Sequence, residues 1–147
     1  MAVELRGLIT GAYKHLENTK NLTDIALHIE MLPEEIVLYA DTEQIEQVFI
    51  NLFSNAVEAM AGKGALSIKA VEEDNRVKIR VADTGPGMSR DTVEKIFEPF
   101  FTTKDKGTGL GLAIVFNIIQ KHRGEITVES TEGTGTTFII SLPKKAP

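Results

Sequence analysis

Asn51 and Asn55 stand four residues apart and Glu58 three further on, so on a helix all three share one face. Asparagine is a poor interior helix residue because its amide competes with the backbone for hydrogen bonds. Two amides and a carboxylate in a row can hold a polar ligand, and they are also what a solvent-facing stripe looks like. The run Asp83, Thr84, Gly85, Pro86, Gly87, Met88 sets a carboxylate before two glycines that let backbone approach a ligand closely. A pocket carboxylate can accept from an exocyclic amine; the same run also spells a plain Gly-Pro turn. In Gly107, Thr108, Gly109, Leu110, Gly111, Leu112, a glycine-rich turn opens an apolar helix, where free N–H groups and the helix dipole favour phosphate. The glycine spacing is one residue short of the dinucleotide-binding G-x-G-x-x-G, and no Gly-Lys-Ser/Thr of a P-loop occurs. Between these runs, Phe97 to Lys106 sets three of the seven phenylalanines beside Thr102, Thr103, Lys104 and Lys106. Such a phenylalanine cluster is ordinarily core, and with glycines flanking it as hinges it also suits a movable flap over a ligand.

Elements must hold these residues in place. From Glu4 to Leu16 the residues Leu5, Leu8, Ile9, Ala12, Tyr13 and Leu16 recur at three- and four-residue spacing, which predicts a helix with one buried stripe. Ile25, Leu27 and Ile29 alternate as in a half-buried strand, and the stretch Ile36 to Tyr39, after Pro33, is expected to be its partner. Asp41 followed by Gln44 predicts a capping-box start for a long helix with the stripe Ile45, Val48, Phe49, Leu52, Ala56 and Met60, ended by Gly62 and Gly64. Residues 65–83 read as an antiparallel hairpin turning at Asp74-Asn75, its second strand running directly into Asp83. Leu112, Val115, Ile118 and Ile119 mark a helix closed by Gly124, and strands near 125–130 and 136–142 form a second hairpin. Pro143 to Pro147 has the composition of a loose end. This alternation predicts an α/β (α+β) sandwich with a mixed or antiparallel sheet rather than a doubly wound parallel one.

Composition bounds the chemistry. The 147 residues fit one domain, and 42% apolar with 25% charged residues is the balance of a globular chain. Zero cysteines exclude thiol nucleophiles, thiolate metal sites and disulfides. With 16 Lys plus Arg against 21 Asp plus Glu, a net charge of -5 argues against a nucleic-acid partner but not against local binding of a small anion. No apolar run is long enough to span a membrane and the start lacks a signal-peptide pattern, so a cytoplasmic chain without membrane contact is expected.

Taken in order, the four runs resemble the ATP-binding catalytic domain of sensor histidine kinases, within the superfamily that includes gyrase, Hsp90 and MutL ATPases. NLFSNAVEAM (51–60) resembles the N-box, DTGPGM (83–88) the first glycine box, FEPFFTTK (97–104) the F-box and GTGLGL (107–112) the second glycine box. Gly133 to Phe138 is similar to the family's closing Gly-Thr hairpin, and the resemblance covers about residues 34–143. It implies a two-layer α/β sandwich of the Bergerat ATP-binding type, with three main helices on a mixed sheet and ATP held between helices under a lid. The Asp matching Asp83 would receive the adenine amine, Thr136 would support that Asp, and the Asn matching Asn55 would coordinate the magnesium carried on the phosphates. Asn51, Lys104, Lys106 and the amides of Gly109, Leu110, Gly111 and Leu112 would surround the phosphates, with Asn51, Asn55 and Lys104 as the catalytic group. Glu58, Gly85, Gly87, Met88, Thr103 and Gly107 would complete the nucleotide site.

The resemblance also narrows the reaction. ATPases of the superfamily, and the anti-sigma serine kinases built on the same domain, have a Glu at the position matching Asn51, where it can act as general base. An amide cannot take that proton, whereas a histidine acceptor already presents a nucleophilic nitrogen. Phosphoryl transfer to imidazole is therefore implied, with Glu58 placed where it could assist through water. None of His15, His28 and His122 sits in the family's His-acidic-x-x-Asn/Thr-Pro setting, so each reads as an ordinary surface or packing histidine. The acceptor histidine is thus expected on a separate dimerisation domain, with a response regulator as indirect partner and this domain alone a monomer. The alternatives are an anti-sigma-type serine kinase and a non-catalytic ATP-binding module.

Overall fold

A computed structural model describes residues 2–98 and 111–144. Its elements run β1 (Ala2–Glu4), α1 (Leu5–Glu17), β2 (Ile25–Leu32), β3 (Val37–Tyr39), α2 (Thr42–Ala59), β4 (Gly64–Glu73), β5 (Arg76–Asp83), α3 (Arg90–Lys95), α4 (Gly111–Lys121), β6 (Glu125–Thr131) and β7 (Gly135–Pro143). Five strands form one sheet in the order β2-β4-β5-β7-β6, with β2 and β4 parallel and every other pair antiparallel. The sheet is mixed, as expected; α2 and α4 pack against it, and α1 packs on α2.

The register sets side chains in rows across that inner face. Ala70, Ile79, Ile140 and Ile126 form one row, and Ile68, Val81, Phe138 and Val128 the next. Directly opposed residues on one face pack against each other, and most of these side chains are buried. The following row changes character: Leu66 is followed by Asp83, Thr136 and Ser130. The inner face thus ends in three adjacent polar side chains on β5, β7 and β6.

Against this face lies α2, whose Ile45, Val48, Phe49, Leu52, Phe53, Ala56 and Val57 are all buried. Its start is capped as predicted, the Asp41 carboxylate accepting from Gln44 N at 3.0 Å. Phe49 and Phe53 stack with centroids 5.7 Å apart, and Tyr13 of α1 meets Phe53 edge-on at 6.4 Å, which joins the two helices. His122, just past α4, is a packing residue: Nε2 accepts from Asp41 N at 3.1 Å, and Nδ1 donates to Ile118 O at 2.9 Å.

Two expectations are corrected, one is refined and one element is new. The stretch Ile36 to Tyr39 does not pair with Ile25 to Ile29: β3 pairs with β1 (Ala2 opposite Tyr39), while β2 lies along β4 over eight residues. That eight-residue match sets Leu27 and Ile29 beside Leu66 and Ile68, and outweighs a three-residue hairpin. Gly124 closes α4 as expected, its N–H donating to Ile119 O at 2.9 Å, while the left-handed residue is Arg123, at φ 58°. Glycine is required at 124 because a Cβ there would lie 2.6 Å from Ser141 O. Pro143 and Lys144 are not loose: Pro143 pairs with Arg76, Lys144 N donates to Asn75 O at 2.7 Å, and Lys144 O accepts from Tyr39 N at 3.0 Å. The Lys144 ammonium also pairs with Glu72. Finally, α3 was not foreseen; Ser89 caps it by accepting from Thr92 N, but it buries no residue and so has no apolar stripe to read.

Candidate functional site

The described site residues lie along α2, the loop after β5 and the start of α4, elements that meet at Asn51–Gly111 and at Ala59–Gly85. Asn51 is half-buried, and its amide is held on both sides. Its Oδ1 accepts from Gln47 Nε2 at 2.8 Å, one turn earlier, and its Nδ2 donates to Gly111 O at 3.2 Å, sixty residues later. This bond ties α2 directly to the start of α4. Asn55, also half-buried, lies one turn further along α2 on the same side. Glu58 continues the stripe but its carboxylate pairs with Lys20 Nζ at 3.1 Å, beyond the end of α1.

The loop from Asp83 closes against the last turn of α2. A Cβ on Gly85 would lie 3.3 Å from both the carbonyl carbon and the Cβ of Ala59, one turn after Asn55, so glycine permits this approach. Gly87 has φ +73°, and a Cβ on it would lie 2.1 Å from Thr131 O. Two further bonds lash the loop to the β6–β7 hairpin: Gly133 N donates to Pro86 O at 2.6 Å, and Met88 N to Ser130 Oγ at 2.7 Å.

Asp83 ends β5 in the polar row. Its Oδ1 accepts from Gly85 N at 2.9 Å and from Thr136 N at 3.3 Å, and neither bond uses Oδ2. Burial raises the pKa of this carboxyl above its ordinary value, and the two backbone N–H groups, which favour the charged form, offset part of that rise. A half-buried carboxylate with one oxygen anchored by backbone suits an acceptor held ready for a ligand donor. Thr136 meets Asp83 through its backbone N–H, and its hydroxyl meets Ser130 Oγ at 2.8 Å.

Leu112, at the start of α4, packs half-buried against the core. Phe97 lies 5.7 Å from the Phe116 ring of α4 and 6.2 Å from that of Phe138, so this member of the phenylalanine run is core. Thr103, Lys104, Lys106, Gly107, Gly109 and Leu110, with Phe100 and Phe101, lie outside the described residues. Among the described residues no cluster of three or more acidic or histidine side chains could hold a metal. A divalent ion carried on an anionic ligand could take the Asn55 amide as one protein donor; magnesium, which keeps its waters and binds phosphate oxygens, fits such a donor.

Sequence reading missed Ser130, Gln47 and Lys20. Ser130 had one usable signal: in a hairpin with strands near 125–130 and 136–142, it falls opposite Thr136.

Comparisons with known proteins identify the family. Residues 40–146 match the family described as "Histidine kinase-, DNA gyrase B-, and HSP90-like ATPase". The sensor histidine kinase ZraS of Escherichia coli strain K12 is 42% identical over 145 residues, 97% of this chain and 30% of that protein. The chain thus spans under a third of the length of the curated relatives it matches. The solved catalytic domain of histidine kinase ThkA superposes with a TM-score of 0.86 at 38% identity, covering 99% of this chain and 97% of that one. ThkA in complex with the response regulator protein TrrA gives a TM-score of 0.83 at 34% identity, over 98% of this chain and 41% of that one. With the polar sheet row, the Asn51–Gly111 junction and a neighbour matched almost end to end, the chain belongs to the histidine kinase-, DNA gyrase B- and HSP90-like ATPase family, as an ATP-binding catalytic domain of the histidine kinase type.

Proposed function

We propose that this domain binds magnesium-ATP and donates the γ-phosphoryl group to a histidine on a dimerisation domain of its parent kinase, from which a response regulator would take it. The observation that carries the reading is the Asn51 amide, committed to Gln47 and Gly111 at the junction of α2 and α4. An amide there orients phosphate without accepting a proton, which suits an imidazole acceptor and gives water or a serine hydroxyl no base at this position. Asp83 would take the adenine amine on Oδ2, and Asn55 would hold the ion. Magnesium, when bound, neutralises charge on the phosphates. Asn51, Lys104, Lys106 and the backbone N–H groups opening α4 would align the triphosphate, with Thr103, Gly107, Gly109 and Leu110 completing that wall. The domain would work in the cytoplasm, and as a monomer when separated from its dimerisation domain.

The test is to mix the domain with γ-labelled ATP and the parent's dimerisation domain. Acid-labile, base-stable phosphate on the dimerisation domain is expected. Labelled serine, or ATP binding with no label on any acceptor, would overturn the proposal.

A further inference from the structure

The polar row contains a hydroxyl pair whose proton directions can be assigned. Ser130 Oγ has three partners: Met88 N at 2.7 Å, Gly135 O at 3.1 Å and Thr136 Oγ1 at 2.8 Å. A serine hydroxyl has one proton and two lone pairs. The amide of Met88 can only donate, and the carbonyl of Gly135 can only accept. For all three contacts to be hydrogen bonds, Ser130 must donate to Gly135 and accept from both Met88 and Thr136. The Thr136 proton therefore points at Ser130, away from Asp83. Thr136 is only 7% exposed, so its hydroxyl has little solvent to turn towards.

We infer that Ser130 is a specificity-determining positioning residue: by fixing the Thr136 hydroxyl proton, it makes the Asp83–Thr136 end of the sheet a site of acceptors only. This rests on the reading that Asp83 meets the base of the nucleotide. Asp83 Oδ2 and the lone pairs of Thr136 Oγ1 then select a base, or a water bridging to it, that presents N–H. An adenine amine satisfies them and a guanine carbonyl does not. Without the Ser130 hydroxyl, the Thr136 proton is free to turn. It can cap Asp83, which weakens ATP binding, or donate to a guanine carbonyl, which relaxes the selection. Ser130 also holds Met88 N, so the same atom sets the position of the first glycine box and the polarity of the residue beside Asp83.

The experiment measures Kd for ATP and for GTP, each with magnesium, on the parental chain and on Ser130→Ala, Ser130→Cys, Ser130→Thr and Asp83→Asn. Ser130→Ala should narrow the ATP preference about three- to tenfold, the equivalent of one neutral hydrogen bond. Ser130→Cys keeps the shape with a poor donor and acceptor and should do the same, so a folding loss in one variant leaves the other to decide. Ser130→Thr keeps the hydroxyl and should restore the preference, which a merely structural role in the hairpin would not require. If Asp83→Asn abolishes the ATP preference while Ser130→Ala and Ser130→Cys leave it at the parental ratio, the inference about Ser130 is wrong and the adenine reading stands. If the parental chain shows no ATP preference, or Asp83→Asn leaves that preference intact, the adenine reading itself fails and this inference falls with it.

Discussion

Asp83→Asn separates what the site needs from what the fold needs. Both backbone bonds to the Asp83 side chain fall on Oδ1. The asparagine carbonyl can take over both, setting the new NH2 group where Oδ2 stood. Two donors then face each other where the adenine amine would bind, and one charge-assisted bond is lost. Such a bond is worth ~1.5 to 3 kcal/mol, or roughly ten- to 150-fold in Kd. Stability should move the other way. Burial raises the Asp83 pKa, so the folded state binds this proton more tightly than the unfolded chain does. The parent's stability therefore falls as pH rises from the usual carboxylate range through the raised folded value, and above it the buried charge is a standing cost. Asparagine does not titrate, so the variant should melt at or above the parental Tm at neutral pH, and the difference should shrink as the pH falls through that window. Calorimetric titration with ATP and melts at several pH values provide both readouts. An Asn variant that binds ATP within about threefold of the parent, or melts clearly below it at neutral pH, refutes the reasoning.

Asn55→Ala should lose most magnesium-dependent ATP affinity and phosphotransfer with the fold intact by circular dichroism, while Asn55→Asp should keep metal binding better than phosphotransfer; parental transfer to a supplied histidine domain by the Ala variant would remove Asn55 from the site. Gly87→Ala should destabilise by more than ~2 kcal/mol in urea melts, because a left-handed residue costs ~1 to 2 kcal/mol and its Cβ also meets Thr131 O. Gly62→Ala, at φ +80° but in open space, should show only the ~1 to 2 kcal/mol of the backbone, and equal effects at both glycines would contradict the close approach. Phe53→Ala should cost ~3 to 5 kcal/mol by the same measurement, since it removes a fully buried ring that stacks on Phe49 and meets Tyr13.

Much of this was legible in the sequence wherever the signal was local. Asp41 with Gln44 marked the start of α2 within one turn, and the hairpin pattern of residues 65–83 marked β4 and β5. Asn51, Asn55 and Asp83 stood out because their chemistry conflicts with the elements that carry them. What escaped was set by partners distant in the chain. β3 pairs with β1 rather than β2 because β2 finds a longer apolar match on β4. Gly124 is glycine for the sake of Ser141 O, which no local turn rule reveals. Lys144 looks like tail by composition, yet it is fastened by Asn75, Tyr39 and Glu72. Ser130 looks like any strand serine until the register sets it beside Thr136.

The β1–β3 ribbon has a mechanical meaning. Ala2 sits opposite Tyr39 in that ribbon, and the Tyr39 amide is bonded to Lys144 O. Both ends of the described chain therefore attach to one residue at one side of the domain. A pull applied between Ala2 and Lys144 loads this short ribbon and the Tyr39–Lys144 bond together with the Asn75 and Glu72 contacts that fasten Lys144 to the five-stranded sheet.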